Sequence, residues 1–166
     1  RRRRLPIPDA VRVAKHALLS LAEAHEKGVI HRDLKPDNLF LVEPRAATHE
    51  PVCKLLDFGI AKVLRDTADD VDALETQAGT VFGTPRYMSP EQAQGKSLDA
   101  RSDLYSVGVL LYQMLVGRAP FSDDDAVVVM ARHIKSAPVP PIEAAHEAKL
   151  PRTLSDLVLR ALAKDP

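Results

Sequence analysis

The residues best suited to chemistry lie in one short stretch, HRDLKPDN at positions 31–38. Asp33 and Asn38 are five positions apart, so in a compact loop both side chains can face one cleft. A carboxylate there can accept a proton from a hydroxyl, and an amide oxygen can bind a hard cation such as Mg²⁺. Lys35 adds a positive charge near the same place. The stretch is therefore predicted to be a catalytic loop held on a rigid platform.

A second carboxylate follows 24 residues after Asp33, in the tripeptide Asp57, Phe58 and Gly59. A carboxylate at the end of a strand, followed by a glycine that frees the backbone, suits a bridge between a metal ion and a phosphate. Phe58 is apolar enough to anchor that turn in the core. The segment GTPRYMSPE at positions 83–91 comes later in the chain.

One helix and a hairpin are predicted to position the catalytic loop. Apolar residues follow helical spacing over residues 9–27, with Asp9 at the N-cap and Gly28 just after the helix. Residues 39–42 and 52–56 are typical of two short strands, joined by a polar loop with two prolines.

Three further helices are predicted in the second half of the chain. One covers residues 102–116, another covers 123–134 with Ser122 as its cap, and the last covers 155–164. Three prolines within residues 137–141 end the middle one. The predicted fold class is mainly α, with some α+β character: a helical bundle carrying a small β-hairpin near its middle.

Composition excludes several classes of function. Lys plus Arg and Asp plus Glu both total 23, and this balance removes the simplest argument for a nucleic-acid partner. The single cysteine, Cys53, excludes an internal disulfide and is predicted to be a buried strand residue. The longest apolar run has six residues, so no membrane span is predicted, and the sequence is compatible with a cytoplasmic location.

Five histidines without metal-ligand spacing are predicted to be ordinary surface or helix residues: His16, His25, His49, His133 and His146.

Together these motifs resemble the large, C-terminal lobe of a eukaryotic-like Ser/Thr protein kinase of the bacterial type. The resemblance covers residues 9–166 and implies that residues 1–166 are a partial protein kinase domain, without its small N-terminal lobe and its C-terminal end. It also implies ATP and Mg²⁺ (or Mn²⁺) as cofactors and the Ser/Thr hydroxyls of proteins as substrates.

The resemblance implies a role for each residue of the catalytic loop. Asp33 would be the base that orients and deprotonates the substrate hydroxyl, and Lys35 would steady the phosphoryl group in transfer. Asn38 and Asp57 would hold the Mg²⁺ ions that bridge the ATP phosphates. Phe40 falls where the family places an apolar residue under the adenine.

Other residues would support the site or contact the substrate. Thr84 falls where a hydroxyl contacts the catalytic Asp and Lys, and Glu91 belongs to the family's Ala-Pro-Glu motif, here Ser-Pro-Glu. Asp103, near the start of the next helix, would accept hydrogen bonds from the backbone of the catalytic loop. His31 and Phe58 would stack in the apolar interior of the lobe.

Regulation by phosphorylation is implied as well. Arg32, next to the base, is typical of kinases that are switched on by a phosphate in the activation loop. That phosphate would pair with Arg32 and with Lys62, and would order the loop. Thr76 and Thr80 are the candidate sites.

The motifs that normally clamp ATP from the small lobe do not occur in the sequence. It has no glycine-rich loop and no Val-Ala-Ile-Lys strand, so the chain alone is expected to have little or no kinase activity. The predicted parent function is that of a protein Ser/Thr kinase. The alternatives are a pseudokinase or scaffold that binds partners without catalysis, and a small-molecule phosphotransferase. Oligomeric state and any membrane anchor outside this segment are left open.

Overall fold

The structure, a computed structural model, describes residues 4–42, 51–57 and 84–165. Short 3-10 turns lie at Pro36–Asn38, Pro85–Tyr87 and His146–Ala148. In this part of the chain, the helices and strands are α1 Ile7–Glu26, β1 Leu39–Val42, β2 Val52–Leu55, α2 Pro90–Ala93, α3 Ala100–Val116, α4 Ala126–Lys135, α5 Pro141–Ala144 and α6 Arg152–Ala161. The predicted mainly helical fold with a small two-stranded sheet is confirmed.

Helix α3 forms the centre of the molecule. The Asp99 side chain caps it by accepting a hydrogen bond from the Arg101 N–H at 2.8 Å, and Gly117 ends it with a φ of 85°. The predicted start at Ser102 is therefore two residues late. Most of its side chains are buried, because α1 packs on one side and α6 on another. The close approach to α6 depends on Gly108, since a Cβ atom there would lie 2.9 Å from the Cβ of Ala161.

Helix α1 begins earlier than predicted. Asp9 is not the N-cap: the helix starts at Ile7, after Pro6, and a second proline, Pro8, lies within the first turn. Proline has its φ fixed near the helical value and lacks the N–H that would be unpaired there, so it starts a helix without a polar cap. Asp9 lies instead in the first turn and bonds to Arg12. The other end is as predicted, with Gly28 in the left-handed region at a φ of 74°.

The two strands form an antiparallel hairpin that rests on α1. Leu39 lies opposite Leu55, and Val42 lies opposite Val52. Cys53 is buried, as predicted, and its backbone N–H donates to Nδ1 of His16 on α1 at 3.0 Å. The hairpin therefore places the residues just before β1 and just after β2 side by side.

The remaining helices differ from their predicted bounds. Helix α4 is capped by Asp125, whose side chain accepts from the Val127 N–H at 2.8 Å, and not by Ser122. Helix α6 begins at Arg152 after a proline, so Ser155 lies inside it and is buried. The short helices α2 and α5, at Pro90–Ala93 and Pro141–Ala144, were not predicted, because single turns have too few residues to show a period.

Candidate active site

Lys35 and Asn38, both in the loop before β1, bond to Asp33, the first to its side chain and the second to its backbone. Nζ of Lys35 donates to Oδ2 of Asp33 at 2.8 Å, and Nδ2 of Asn38 donates to the carbonyl oxygen of Asp33 at 2.8 Å. Asn38 is buried, whereas the side chains of Asp33 and Lys35 are 24% and 27% exposed. The carboxylate and ammonium groups are therefore accessible, while most of the Asn38 side chain, which fixes the loop, is buried.

The charge of Lys35 is secured by its neighbours. Its hydrogen bond to Asp33 raises the pKa of Lys35, and the carboxylates of Asp33, Asp37 and Asp57 raise it further, against the opposing effect of burial. The loop therefore presents a carboxylate and a fixed positive charge side by side at neutral pH.

Asp103 fixes the backbone at the start of the loop. It is 2% exposed, and its two oxygens accept the backbone N–H groups of His31 at 2.9 Å and Arg32 at 3.0 Å. This is the arrangement that the family resemblance implies. Nε2 of His25, near the end of α1, also lies 2.7 Å from Oδ2 of Asp103. The loop is therefore held by α3 and α1 together.

His31 ties the loop to the end of β2. Its ring is fully buried, and Nε2 lies 3.1 Å from the carbonyl oxygen of Leu56. That oxygen can only accept, so Nε2 carries the proton, and Nδ1 is free to accept from the Asp33 N–H at 3.3 Å. The Leu56 N–H in turn donates to the carbonyl of Asn38 at 2.9 Å. The backbone of Asp57, which follows Leu56, therefore lies beside that of Asn38.

Two residues of the site have unusual backbone conformations. Arg32 has a φ of 64° and Asp57 a φ of 53°, the left-handed region that side chains other than glycine seldom adopt. Such conformations cost free energy and persist only where the surroundings impose them, as they commonly do at functional sites. The strain therefore falls on the residue before the predicted base and on the predicted metal ligand.

The site has a donor set that suits a hard cation. Because the amide nitrogen of Asn38 donates to Asp33, its side-chain oxygen is left as an acceptor, and Asp57 adds a carboxylate. Mg²⁺ binds protein through one or two such oxygens and completes its shell with water and phosphate. The described residues hold no group of three or more His, Cys, Asp or Glu side chains that could hold a metal ion. The residues present fit a metal that arrives with a phosphorylated ligand.

Helix α2 braces the loop from another side. Ser89 and Gln92 form a capping box, in which the Ser89 side chain accepts the Gln92 N–H and the Gln92 side chain accepts the Ser89 N–H. The Gln92 amide also donates to the carbonyl of Arg32 at 2.7 Å. Glu91, in the same turn, accepts a hydrogen bond from Ser102 of α3. The Ser-Pro-Glu motif thus connects the catalytic loop to α3.

Residues 84–88 are held by the helices behind them. The Tyr87 hydroxyl donates to Oε1 of Gln113 at 2.8 Å, and Ser106 donates to the Tyr87 carbonyl at 2.8 Å. Thr84 precedes the turn. The predicted contact of the Thr84 hydroxyl with Asp33 and Lys35 stays a prediction.

Of the remaining predicted site residues, one lies on the hairpin and five lie outside the described residues. Phe40 is on β1 with 57% of its surface exposed, on the hairpin that carries the site. Five predicted residues lie outside the described part of the chain: Phe58, Gly59, Lys62, Thr76 and Thr80.

Sequence reasoning missed three residues that hold the site in place: His25, Gln92 and His133. His133 lies on helix α4, which agrees with the prediction of a surface or helix residue, but its complete burial and its hydrogen-bond partners were not foreseen. The only available signal for His133 was its place on a helix among apolar residues, which does not indicate a partner.

Known proteins that are similar to this chain point to one family. The whole of residues 1–166 matches the family model of the protein kinase domain. Serine/threonine-protein kinase pkn3 of Myxococcus xanthus is 52% identical over 157 residues, which are 94% of this chain and 28% of that protein. Serine/threonine-protein kinase PknB of Mycobacterium tuberculosis is 43% identical over 157 residues, 95% of this chain and 23% of that protein.

The chain belongs to the protein kinase family. The family resemblance inferred from the motifs is thereby confirmed, and the similar bacterial proteins are named Ser/Thr kinases. The chain spans less than a third of the length of these relatives. Among the residues that the structure describes, no helix is both long and apolar enough to cross a membrane.

Proposed function

We propose that this chain is the catalytic-loop-bearing lobe of a Ser/Thr protein kinase, which transfers the γ-phosphate of ATP to Ser or Thr hydroxyls of proteins. The observation that supports this most directly is the Asp33 carboxylate, paired with Lys35 at 2.8 Å on a loop whose backbone is fixed by buried Asp103. Phosphoryl transfer needs positioning and charge neutralisation more than covalent chemistry, and this loop supplies both.

Asp33 acts on the hydroxyl that attacks. Its carboxylate accepts a hydrogen bond from the substrate hydroxyl, orients it, and takes its proton as the new O–P bond forms. The other carboxylate oxygen can stay bonded to Lys35, whose charge then lies where negative charge moves during transfer. Because the backbone of the loop is fixed by Asp103 and Asn38, neither group has to be ordered when the substrate binds.

Asn38 and Asp57 would hold the Mg²⁺ that comes with ATP. Bound there, the metal supplies charge neutralisation at the phosphates. Phe40, exposed on β1, offers an apolar surface for the adenine. Leu56 beside the site is also 41% exposed, so this face of the hairpin is the one that a bound nucleotide and a covering lobe would bury.

The function is tested with the full-length protein that contains this chain. We expect it to phosphorylate a basic protein such as myelin basic protein with ATP and Mg²⁺, and we expect Asp33→Asn to lower kcat about 10²–10⁴-fold, the contribution of a general base. Asp156→Asn is the matched control, because Asp156 is an exposed carboxylate on α6 far along the chain. Full activity of Asp33→Asn would reject the proposal and favour a scaffold that binds partners without catalysis.

Two further parts of the proposal concern activity and its control. The 166-residue chain alone is expected to be inactive, since residues that clamp ATP from above do not occur in it. Phosphorylation of Thr76 or Thr80 is proposed to activate the parent by pairing with Arg32 and Lys62. Mass spectrometry of active full-length protein tests this, and finding both threonines unmodified would contradict it.

A further inference from the structure

A buried chain of hydrogen bonds reaches residues 84–88 from behind. The Tyr105 hydroxyl on α3 lies 2.8 Å from Nδ1 of His133 on α4, and Nε2 of His133 lies 3.1 Å from the carbonyl oxygen of Arg86. At the other end, Nζ of Lys164 donates to the Tyr105 hydroxyl at 3.1 Å. Tyr105 is 4% exposed and His133 is fully buried. None of these side chains belongs to the proposed catalytic machinery.

The groups at the two ends determine the direction of every bond. An ammonium group only donates, so the Tyr105 oxygen accepts from Lys164 and its O–H donates to Nδ1 of His133. The Arg86 carbonyl only accepts, so Nε2 of His133 carries the proton. The bond from Tyr105 and the bond to Arg86 therefore require the same form of His133, a neutral imidazole with its proton on Nε2. Burial, with a smaller effect from Lys164, lowers the pKa of His133 to about 4 and keeps the ring neutral near pH 7.

Aromatic rings hold the imidazole in place. The centroids of Phe121 and His133 are 5.0 Å apart and those of Tyr105 and His133 are 5.6 Å apart, both in edge-to-face contact. Nζ of Lys164 lies 4.5 Å from the Phe121 centroid. Apolar side chains could fill this volume without burying a phenol, an imidazole and part of an ammonium group. What the polar chain adds is a fixed donor aimed at the Arg86 carbonyl.

The Arg86 carbonyl is one of two successive carbonyls held in this way. Ser106 of α3 donates to the next one, that of Tyr87, at 2.8 Å. The planes of two consecutive peptide groups are therefore set by side chains from α3 and α4. Because a peptide plane has fixed geometry, these two bonds fix the course of the main chain from residue 86 to residue 88, the second half of the segment 84–88.

We propose that Tyr105 and His133 are positioning residues for the protein substrate: they hold the main chain of residues 84–88 in the shape that receives the substrate peptide. The inference rests on the proposed function and on the family resemblance, which implies that Thr84 lies against the catalytic Asp and Lys. The turn that follows this segment also bonds directly to the loop, through Gln92 and the Arg32 carbonyl. It assigns the pair to peptide binding and not to the phosphoryl-transfer step.

Tyr105→Phe in the full-length protein tests the proposal. It removes one hydroxyl, keeps the ring, and leaves Nδ1 of His133 without its donor, so the imidazole is held only by its bond from Nε2 to the Arg86 carbonyl. We expect KM for a peptide substrate to rise roughly fivefold, the size typical of one lost buried hydrogen bond. We expect KM for ATP and kcat to stay within about twofold, the pattern of lost substrate binding.

Three more variants separate positioning from folding. Tyr112→Phe is the matched control, because Tyr112 is a buried tyrosine on the same helix whose hydroxyl has no hydrogen bond within the described residues. His133→Leu removes the donor to the Arg86 carbonyl and should raise KM for the peptide substrate. His133→Gln keeps a side-chain N–H donor and should raise this KM less. A purely structural role would reduce the amount of folded enzyme, and so the apparent kcat, with KM unchanged.

The outcomes distinguish this inference from the proposed function. If Asp33→Asn is inactive and Tyr105→Phe leaves the peptide KM unchanged, only the positioning role is wrong. If Asp33→Asn is fully active, the proposed function fails and the positioning role fails with it. Should His133→Leu not fold, the comparison of Tyr105→Phe with Tyr112→Phe still decides the question.

Discussion

Asp103 is the residue on which the most contacts of the catalytic loop converge. Its two oxygens serve three groups, namely two backbone N–H groups of the loop and the imidazole of His25. A buried carboxylate is costly to desolvate unless it is fully hydrogen-bonded, and here it is. The residue does no chemistry in the proposed reaction. Its hydrogen bonds hold the backbone of the loop in a fixed position relative to helix α3.

Asp103→Ala is expected to destabilise the fold by about 3 kcal/mol, because it leaves two backbone N–H groups near the core without their acceptor. Urea unfolding of the variant and the parent measures this difference. Asp156→Ala, at an exposed position, is the control and is expected to change stability by less than about 0.5 kcal/mol. An unfolding midpoint for Asp103→Ala equal to that of the parent would contradict the role assigned to this carboxylate.

Among the elements, the contact between α3 and α6 has the least room for change. A Cβ at Gly108 would lie 2.9 Å from the Cβ of Ala161 and 3.3 Å from Cδ2 of Leu162. The first distance is too short for two methyl groups, so the two helices would have to move apart. Glycine is present here because of this approach, although it costs about 1 kcal/mol of helix propensity.

Gly108→Ala is therefore expected to destabilise the protein by about 1–2 kcal/mol, since the cost of overpacking exceeds the gain in helix propensity. Thermal unfolding of the parent, Gly108→Ala, Ala161→Gly and the double variant forms a cycle. Ala161→Gly should cost less in the Gly108→Ala background than in the parent, because it removes the nearest clashing atom. Additive effects of the two substitutions would show that the clash is absorbed elsewhere.

The long elements could be predicted from the sequence, but their starts could not. The spacing of apolar residues in α1 and α3 indicates the helices correctly. The predicted caps Asp9 and Ser122 are wrong, because Pro6 and Asp125 compete for the same role a few residues away. Several polar or proline residues near one helix start can each begin it, and tertiary packing selects among them.

At the scale of the whole molecule, the candidate site divides into a local part and a distant part. Asp33, Lys35 and Asn38 lie within a few residues of one another, so their spacing alone predicts the loop. His25, Gln92 and His133 bond to partners 78, 60 and 47 residues away in the chain.

No periodicity or spacing connects residues so far apart, so only the fold shows what these side chains hold. The roles of Phe58, Thr76 and Thr80 stay predictions, since these residues lie outside the described part. The resemblance to a family could assign Asp103 because it concerns a known motif. The resemblance could not assign a role to His133, which belongs to none of the motifs.

His133 also makes the stability of the whole protein depend on pH. Its pKa is lowered to about 4 in the folded state, chiefly by burial, from an ordinary value near 6.5. Between these two values the unfolded chain binds a proton on this ring and the folded chain does not, so stability falls as the pH falls. From pH 7 to pH 5 this group is expected to remove about 2 kcal/mol of stability.

Urea unfolding at pH 7 and pH 5 isolates that contribution when the parent is compared with His133→Gln, which cannot titrate there. The parent should lose about 2 kcal/mol more than the variant between the two values, because all other titrating groups are shared. His146→Gln is the control, since the side chain of His146 is 85% exposed. Its free energy of unfolding should change between pH 7 and pH 5 as that of the parent does. An equal change of stability with pH for the parent and His133→Gln would mean that the folded protein protonates this ring as readily as the unfolded chain does. The hydrogen bond from Tyr105 to Nδ1 would then be lost at pH 5, since a protonated imidazole has no acceptor left.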